Sequence, residues 1–378
     1  MSTPAPLSGI RIIELGSSIA APYGAWILAE LGAEVIKVER PRGGDDARHW
    51  GPPFWHGMSA IFRSMNRNKK SVTTDMRNDA EIARLRRLII DSADVVLQNM
   101  RPGKIEALGL DAATLLAEKP SLVYCNIGAF GKRGPLKDRP GYDPLMQAFG
   151  GLMSVTGEEG RPPVRVGTSI MDMGTGMWCA IGILAALRDR DRTGEGGVVD
   201  ASLYETSIGW MTNLLAQYQA SGKVPVRAGS GVRAIAPYQA YECADGYLVV
   251  AAGNDKLFGR LVAALGHPEW AEDARFRGNP NRVTNLLALN ALMGPIFASE
   301  TRAHWQEKLD AADVPCGPTQ SVDEVVAHPQ TQALDIIQDS PDGQLHLVGL
   351  PISFDGVRPP LRHGGPELGA DNDEILDD

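Results

Sequence analysis

One acidic side chain and the glycines behind it set the chemical question. Asp172 opens the segment DMGTGM, with Gly174 and Gly176 close behind, inside the apolar stretch Gly167 to Leu187. That stretch reads as a helix that is apolar almost all round, where each glycine costs roughly 1 kcal/mol against alanine. Two readings of the acid compete. In the first, Ser169-Ile-Met-Asp172 is a capping box, or Asp172 is itself an N-cap, and the acid is structural. In the second, the glycines admit a ligand close to the backbone. The carboxylate then faces free amides and the positive end of the helix dipole, which favours its ionised form and helps hold an anionic group of a ligand. An ionised carboxylate in such a place is a nucleophile for an activated acyl group.

The more familiar catalytic signatures are missing. Glu39 ends a strand where a ribose-binding acid would sit, but the preceding turn, GSSIAAPYGA, has no GxGxxG. GSGVRA, from Gly229, resembles that fingerprint but follows no strand. A nicotinamide dehydrogenase, which would report through an NADH absorbance change, is therefore discounted. No P-loop, GxSxG elbow or HExxH occurs, and the seven histidines do not cluster, so no metal site is expected. A formal net charge of −9 gives no reason to expect nucleic acid or an anionic membrane, and any anionic ligand must be met by local cations. Cys125, Cys179, Cys243 and Cys316 are scattered, which fits a reducing cytoplasm. MSTPAPLSGI shows no signal peptide, and the apolar run Met177 to Leu187 is too short for a bilayer.

The elements that must position Asp172 follow from hydrophobic period. GIRIIEL, EVIKVE, SVTTD, DVVLQN, SLVYCNI and VVDASL read as strands. Helical patterns separate them at 20–31, 79–92 and 112–118, with the Asp172 helix before the last strand and a helix over 204–218 after it. The alternation predicts an α/β fold, a doubly wound, Rossmann-like large domain over 1–220. Beyond residue 220 a hairpin around Ala244-Asp245-Gly246 and helices over 255–265, 281–298 and 301–312 predict a smaller α+β domain over 225–315. Residues 316–378 form an irregular tail rich in Pro and Gly.

The chain also resembles the family III CoA-transferases over nearly its whole length. The resemblance rests on PLSGIRIIELGSSIAAP, GAEVIKVERP, MNRNKKSVTTD, QNMRPGKIEALGL, RPGYDPLMQAFGGLMSVTGEEG, SIMDMGTGMWCAIGILAALRDR, APYQAYECADGYLVVAAGNDKLF and VPCGPTQSVDEVVAHP, in that order. It implies that Asp172 is the nucleophile of a ping-pong transfer of CoA from an acyl-CoA donor to a carboxylic acid, with coenzyme A as substrate and no tightly bound cofactor. It implies CoA contacts at Arg40, Arg77, Asn99, Met100 and Arg101, with Met100 on the adenine; Arg139 and Tyr142 are further candidates. Amides around Gly229 and Gly231 are candidate oxyanion donors. It implies an interlocked, ring-like homodimer whose tail returns to the large domain. Two departures matter. Ala107 stands where some relatives carry a basic residue, so the phosphate clamp is not fixed. Related racemases carry His in a G-H-D segment, where this chain has Gly141-Tyr142-Asp143. With an unperturbed pKa of roughly 10, Tyr142 is a poor base at neutral pH, and the transferase version is expected. Tyr142 is either a pocket residue or a packed aromatic with a bonded hydroxyl. GNDKLF, from Gly253, hints at dicarboxylates such as succinate or glutarate. An acyl-CoA racemase and a non-catalytic acyl-CoA-binding paralogue are the alternatives.

Overall fold

The computed structural model describes residues 5–376. The chain divides into two units. The first comprises residues up to 152, Arg165–Gly222 and 329 onward; the second comprises Met153–Val164 and Lys223–His328.

The first unit is built on a six-stranded parallel sheet. Its strands are β1 (Arg11–Leu15), β2 (Glu34–Glu39), β3 (Lys70–Thr73), β4 (Val95–Gln98), β5 (Val123–Gly128) and β6 (Gly197–Ser202). Their spatial order is 3-2-1-4-5-6, so the winding direction reverses between β1 and β4. In such sheets ligands bind at that reversal, outside the carboxyl ends of the strands. The inner strands are buried on both sides because both faces are covered, whereas β6, at the edge, exposes Val198 and Asp200. One face packs Ile12, Val35, Val95, Leu97 and Cys125 against α1 (Ala20–Glu30) and the long helix α6. The other packs Ile13, Ile36, Val96 and Tyr124 against α3 (Asp79–Ser92) and α4 (Ala112–Glu118). Between β2 and β3 lies α2 (Ala60–Asn66), and α5 (Asp143–Phe149) follows β5.

Helix α6 (Ile170–Thr193) carries Asp172 in its first turn. It is longer than the apolar run alone suggested, and by length and composition it could cross a membrane. Here one of its faces lies in the core with Cys179, Ala180, Ile183 and Leu187. It ends at Gly194, whose φ of 80° is a left-handed cap that glycine adopts without penalty. The helix expected over 204–218 is two helices, α7 (Leu203–Trp210) and α8 (Thr212–Ser221), separated at Met211.

The second unit holds the expected hairpin, β7 (Tyr238–Cys243) with β8 (Gly246–Ala251), and the helices α9 (Asp255–Ala264), α10 (Asn279–Thr284), α11 (Leu286–Ala298) and α12 (Arg302–Ala311). Its core contains Tyr241, Leu248, Phe258, Phe297 and Trp305. Two segments differ from the boundaries read in the sequence. β9 (Cys316–Pro318) pairs antiparallel with β8, so the start of the tail belongs to this sheet. Residues 153–164, read as part of the large domain, also cluster here; Gly157 O accepts from Gly229 N at 2.9 Å.

Candidate active site around Asp172

The start of α6 is not capped from within. Ser169 makes no side-chain cap bond, which overturns the capping-box reading. Asp143, the first residue of α5 and almost fully buried, takes the role from a distance in sequence. Its Oδ2 accepts from the Met171 amide at 2.7 Å and the Asp172 amide at 3.3 Å. Its Oδ1 accepts from Gln147 Nε2 at 2.6 Å, and Gln147 Oε1 accepts from Val166 N at 2.8 Å. The loop entering α6 is thus tied to α5 through two side chains. Sequence reading missed both; the only signal was the polar pair four residues apart in DPLMQ, on one helical face.

With the amides taken by Asp143, the Asp172 carboxylate has no hydrogen-bond partner among the described residues. Burial and the adjacent Asp143 charge push its carboxyl up to about 7. The dipole argument predicted an ionised group; desolvation and a like charge outweigh it. A carboxyl poised near neutrality with free lone pairs matches what nucleophilic and proton-transfer chemistry require.

The two glycines serve packing, which corrects the ligand-access reading. A Cβ at Gly174 would lie 2.7 Å from Trp210 Cζ2. A Cβ at Gly176 would lie 2.7 Å from Ala20 O and 2.8 Å from Gly24 N, and one at Gly24 would lie 2.9 Å from Gly176 O. Gly24 and Gly176 let α1 and α6 touch backbone to backbone.

At the crevice between β1 and β4, the turn after β1 is bonded to Asn99, just past β4. Asn99 Oδ1 accepts from Ser17 N at 3.0 Å, and Asn99 Nδ2 donates to Ser17 O at 2.8 Å. The Ser18 amide donates to Asp45, at 3.0 Å to Oδ1. Asp45 is held by Lys37, whose Nζ lies 2.9 Å from Asp45 Oδ2 and Glu14 Oε1 and donates to Gly16 O at 2.9 Å. Lys69 Nζ reaches Glu14 Oε2 at 2.7 Å and Pro22 O at 2.8 Å; burial brings its ammonium down to about 8. This fully buried network fixes the turn after β1. Glu39 is buried against Arg48, at 2.7 and 2.8 Å. Burial opposes its ionisation, but Arg48 and Lys37 outweigh that and hold it below the usual carboxylate range. It is not available to a ribose.

The candidate CoA contacts of the first unit all follow the carboxyl ends of strands, but they are not equally free. Asn99 is spent on Ser17 and positions the crevice. Met100 packs against the core beneath β4. Arg77 is held by Asp75 through two bonds, at 2.9 and 2.8 Å, and Arg40 donates to Gly44 O at 2.8 Å and pairs with Asp46. Arg42, not singled out in the sequence, lies near enough to Asp75 to help lower it. The Arg101 side chain is exposed and makes no ion pair among the described residues. Arg139 stands over the Phe130 ring, 5.7 Å from its centroid. Tyr142 is 64% exposed, so it is not the packed, bonded aromatic that was one of its two readings. Gly229 and Gly231 belong to the second unit, and their amides already donate, to Gly157 O at 2.9 Å and Ala228 O at 3.0 Å. As placed, those two amides are not free oxyanion donors. No three His, Cys, Asp or Glu side chains among the described residues form a metal site.

Comparison with known proteins gives these features a context. The model of CoA-transferase family III matches residues 7–372. An acyl-CoA transferase of Fusarium pseudograminearum is 39% identical over 100% of this chain and 85% of its own length. Succinyl-CoA:glutarate CoA-transferase of Mus musculus is 35% identical over 98% of this chain and 86% of its own. The crystal structure of a CAIB/BAIF family protein from Brucella suis superposes with a TM-score of 0.89 at 40% identity, covering 98% of both chains.

Proposed function

The chain belongs to CoA-transferase family III, and from that premise we propose that it moves CoA from an acyl-CoA thioester to a carboxylic acid through covalent intermediates on Asp172. The observation that carries the reading is the Asp172 carboxylate itself, unbonded, partly buried and poised near neutrality at the mouth of α6. Ionised Asp172 attacks the thioester carbonyl carbon. The tetrahedral adduct collapses, the C–S bond breaks, and a mixed anhydride and CoA thiolate remain. The thiolate attacks the aspartyl carbonyl and expels the donor acid, leaving CoA as a thioester on Asp172. The acceptor carboxylate attacks that carbonyl, releases thiolate and forms a second anhydride. Thiolate attack on the acceptor acyl carbon then yields the new acyl-CoA and frees Asp172.

Arg40, Arg77 and Arg101 meet the CoA phosphates in this reading, with Arg42 beside them. Arg101 engages directly, while Arg40 and Arg77 exchange a carboxylate partner for a phosphate. Met100 lies against the adenine, and Arg139 and Tyr142 border the acyl end. The substrate class is a short dicarboxylate, supported by GNDKLF and by the succinyl-CoA:glutarate CoA-transferase among the relatives. The working form is a homodimer, interlocked as the family resemblance implies, in a reducing cytoplasm. An exposed apolar face on α6, formed by Met177, Trp178 and Ile181, supports the dimer.

The test is a transfer assay with succinyl-CoA and glutarate, followed by mass spectrometry of the peptide holding Asp172. An acyl or CoA adduct on Asp172 is expected, and Asp172→Ala should lose at least ~10³-fold in turnover while staying folded. A near-normal rate in that variant ends the mechanism.

A further inference from the structure

Two adjoining cavities open on the side of the large sheet opposite to the Asp172 end. One, of about 220 Å³, lies against Gly32–Val35 and Lys70, where β2 and β3 begin. The other, of about 260 Å³, is lined by Arg63, Asp342, Leu345 and Gly364; both share Arg362 and His363. Asp172 lies at the carboxyl ends, because α6 runs back across the sheet before β6 begins.

The charges in the larger cavity are unbalanced. Arg63 is only 8% exposed. Its Nε donates to Trp55 O at 2.9 Å and its Nη2 to His56 O at 3.2 Å. The nearest carboxylate, Glu367, is 3.9 Å away and mostly exposed. Nη1 has no acceptor among the described residues and lies 3.7 Å from where a Cβ on Gly364 would stand, on the cavity wall. Arg362 donates to Ala29 O at 2.9 Å and makes no direct ion pair among the described residues, although it lies near enough to Glu30 to favour that carboxylate's ionised form. Asp342, the one acid lining the larger cavity, is occupied by Ser340 Oγ and the Gln344 amide, the latter at 3.1 Å. Arg63, buried with only a loose carboxylate partner and an Nη1 that has no acceptor among the described residues, and Arg362, exposed on the same cavity wall, present the forked donors that oxyanions fit.

We propose that this cavity binds a small dianionic oxyanion, of the phosphate or short dicarboxylate type, between Arg63 and Arg362, with His363 as a further donor. The site is separate from the Asp172 centre. Its occupant ties α2 to the C-terminal segment that carries Arg362, nearly 300 residues away in sequence.

The test is titration of the full-length protein with inorganic phosphate at fixed ionic strength, read by the thermal midpoint and by the ³¹P linewidth. A saturable rise is expected in the wild type and in Asp172→Asn. Arg362→Gln should weaken binding by at least ~10-fold, and Arg63→Gln should abolish it. Arg63 also holds the 55–56 turn, so Arg362→Gln, at the surface, decides the matter if Arg63→Gln unfolds. Competition by succinate identifies a site open to dicarboxylates, and its failure identifies one selective for phosphate; either outcome upholds the site. No saturable response, or one unchanged in Arg362→Gln, shows an adventitious ion only and overturns the proposal. So does a response lost in Asp172→Asn or displaced by CoA, which would place the anion at the substrate centre.

Discussion

At the scale of single residues, the balance around Asp172 sets function against stability. A carboxyl held near 7 in the folded chain ionises near 4 once unfolded. Between those values the folded state keeps a proton that the unfolded state has lost. Stability therefore falls as pH rises through that window and levels off above about 7. The shift caps the cost at roughly 4 kcal/mol, and the partial exposure of the side chain brings it to about 1–3 kcal/mol. Asp172→Asn removes the charge and keeps the shape. Urea unfolding should find it about 1–3 kcal/mol more stable than wild type at pH 8, with the gap closing toward pH 4. A variant less stable than wild type at pH 8 would show that the carboxylate is a structural asset. The identity of Asp172 was legible from its place before an apolar helix and from DMGTGM. Its environment was not, because the cap comes from Asp143, 29 positions earlier, and no local pattern links the two.

At the scale of elements, the strands and most helices were legible because period and caps are local. Asp79–Ser92 and Ala112–Glu118 stand where the pattern put them, opened by Asn78 and Asp111, whose side chains accept from the first-turn amides. The break at Met211 was not legible: the apolar period continues through it. The glycines of α6 were seen but misread, since a close helix crossing and a ligand approach leave the same mark in a sequence. The crossing makes a measurable claim. Gly176→Ala places a methyl 2.7 Å from Ala20 O and 2.8 Å from Gly24 N, both backbone atoms that cannot rotate away. The helix-propensity gain of roughly 1 kcal/mol is outweighed, and denaturant titration should show a net loss of about 1–3 kcal/mol. Gly209→Ala is the control: nothing lies within 4 Å of its Cβ position, so it should be neutral or stabilising. A stabilised Gly176→Ala would return the ligand-access reading to consideration.

At the scale of the whole molecule, the chain is less sequential than its βα order suggests. Residues 153–164 join the second unit through bonds such as Gly229 N to Gly157 O, and β9 joins it through backbone pairing with β8; composition records neither. The return of the tail is equally non-local. α13 (Asn372–Leu376) and the residues before it lie along β3, the edge of the large sheet. Asp371 Oδ2 accepts from Ser71 N at 2.7 Å, Asn372 Oδ1 accepts from Thr73 N at 2.8 Å, and Leu376 is buried beneath them. An open edge of this kind invites pairing between molecules, and side chains of the tail satisfy the amides that would template it. Ending the chain after Pro366 strips both acceptors and the Leu376 contact. The loss should be about 2–4 kcal/mol, read by urea unfolding, with concentration-dependent association in sedimentation. Lys70 also pairs with Glu374 in this segment, but both groups are partly or mostly exposed, so Glu374→Gln should change stability by less than about 0.5 kcal/mol. If the truncated chain were as stable and monodisperse as the full one, β3 would need no cover, and the tail's contacts would be incidental to the fold.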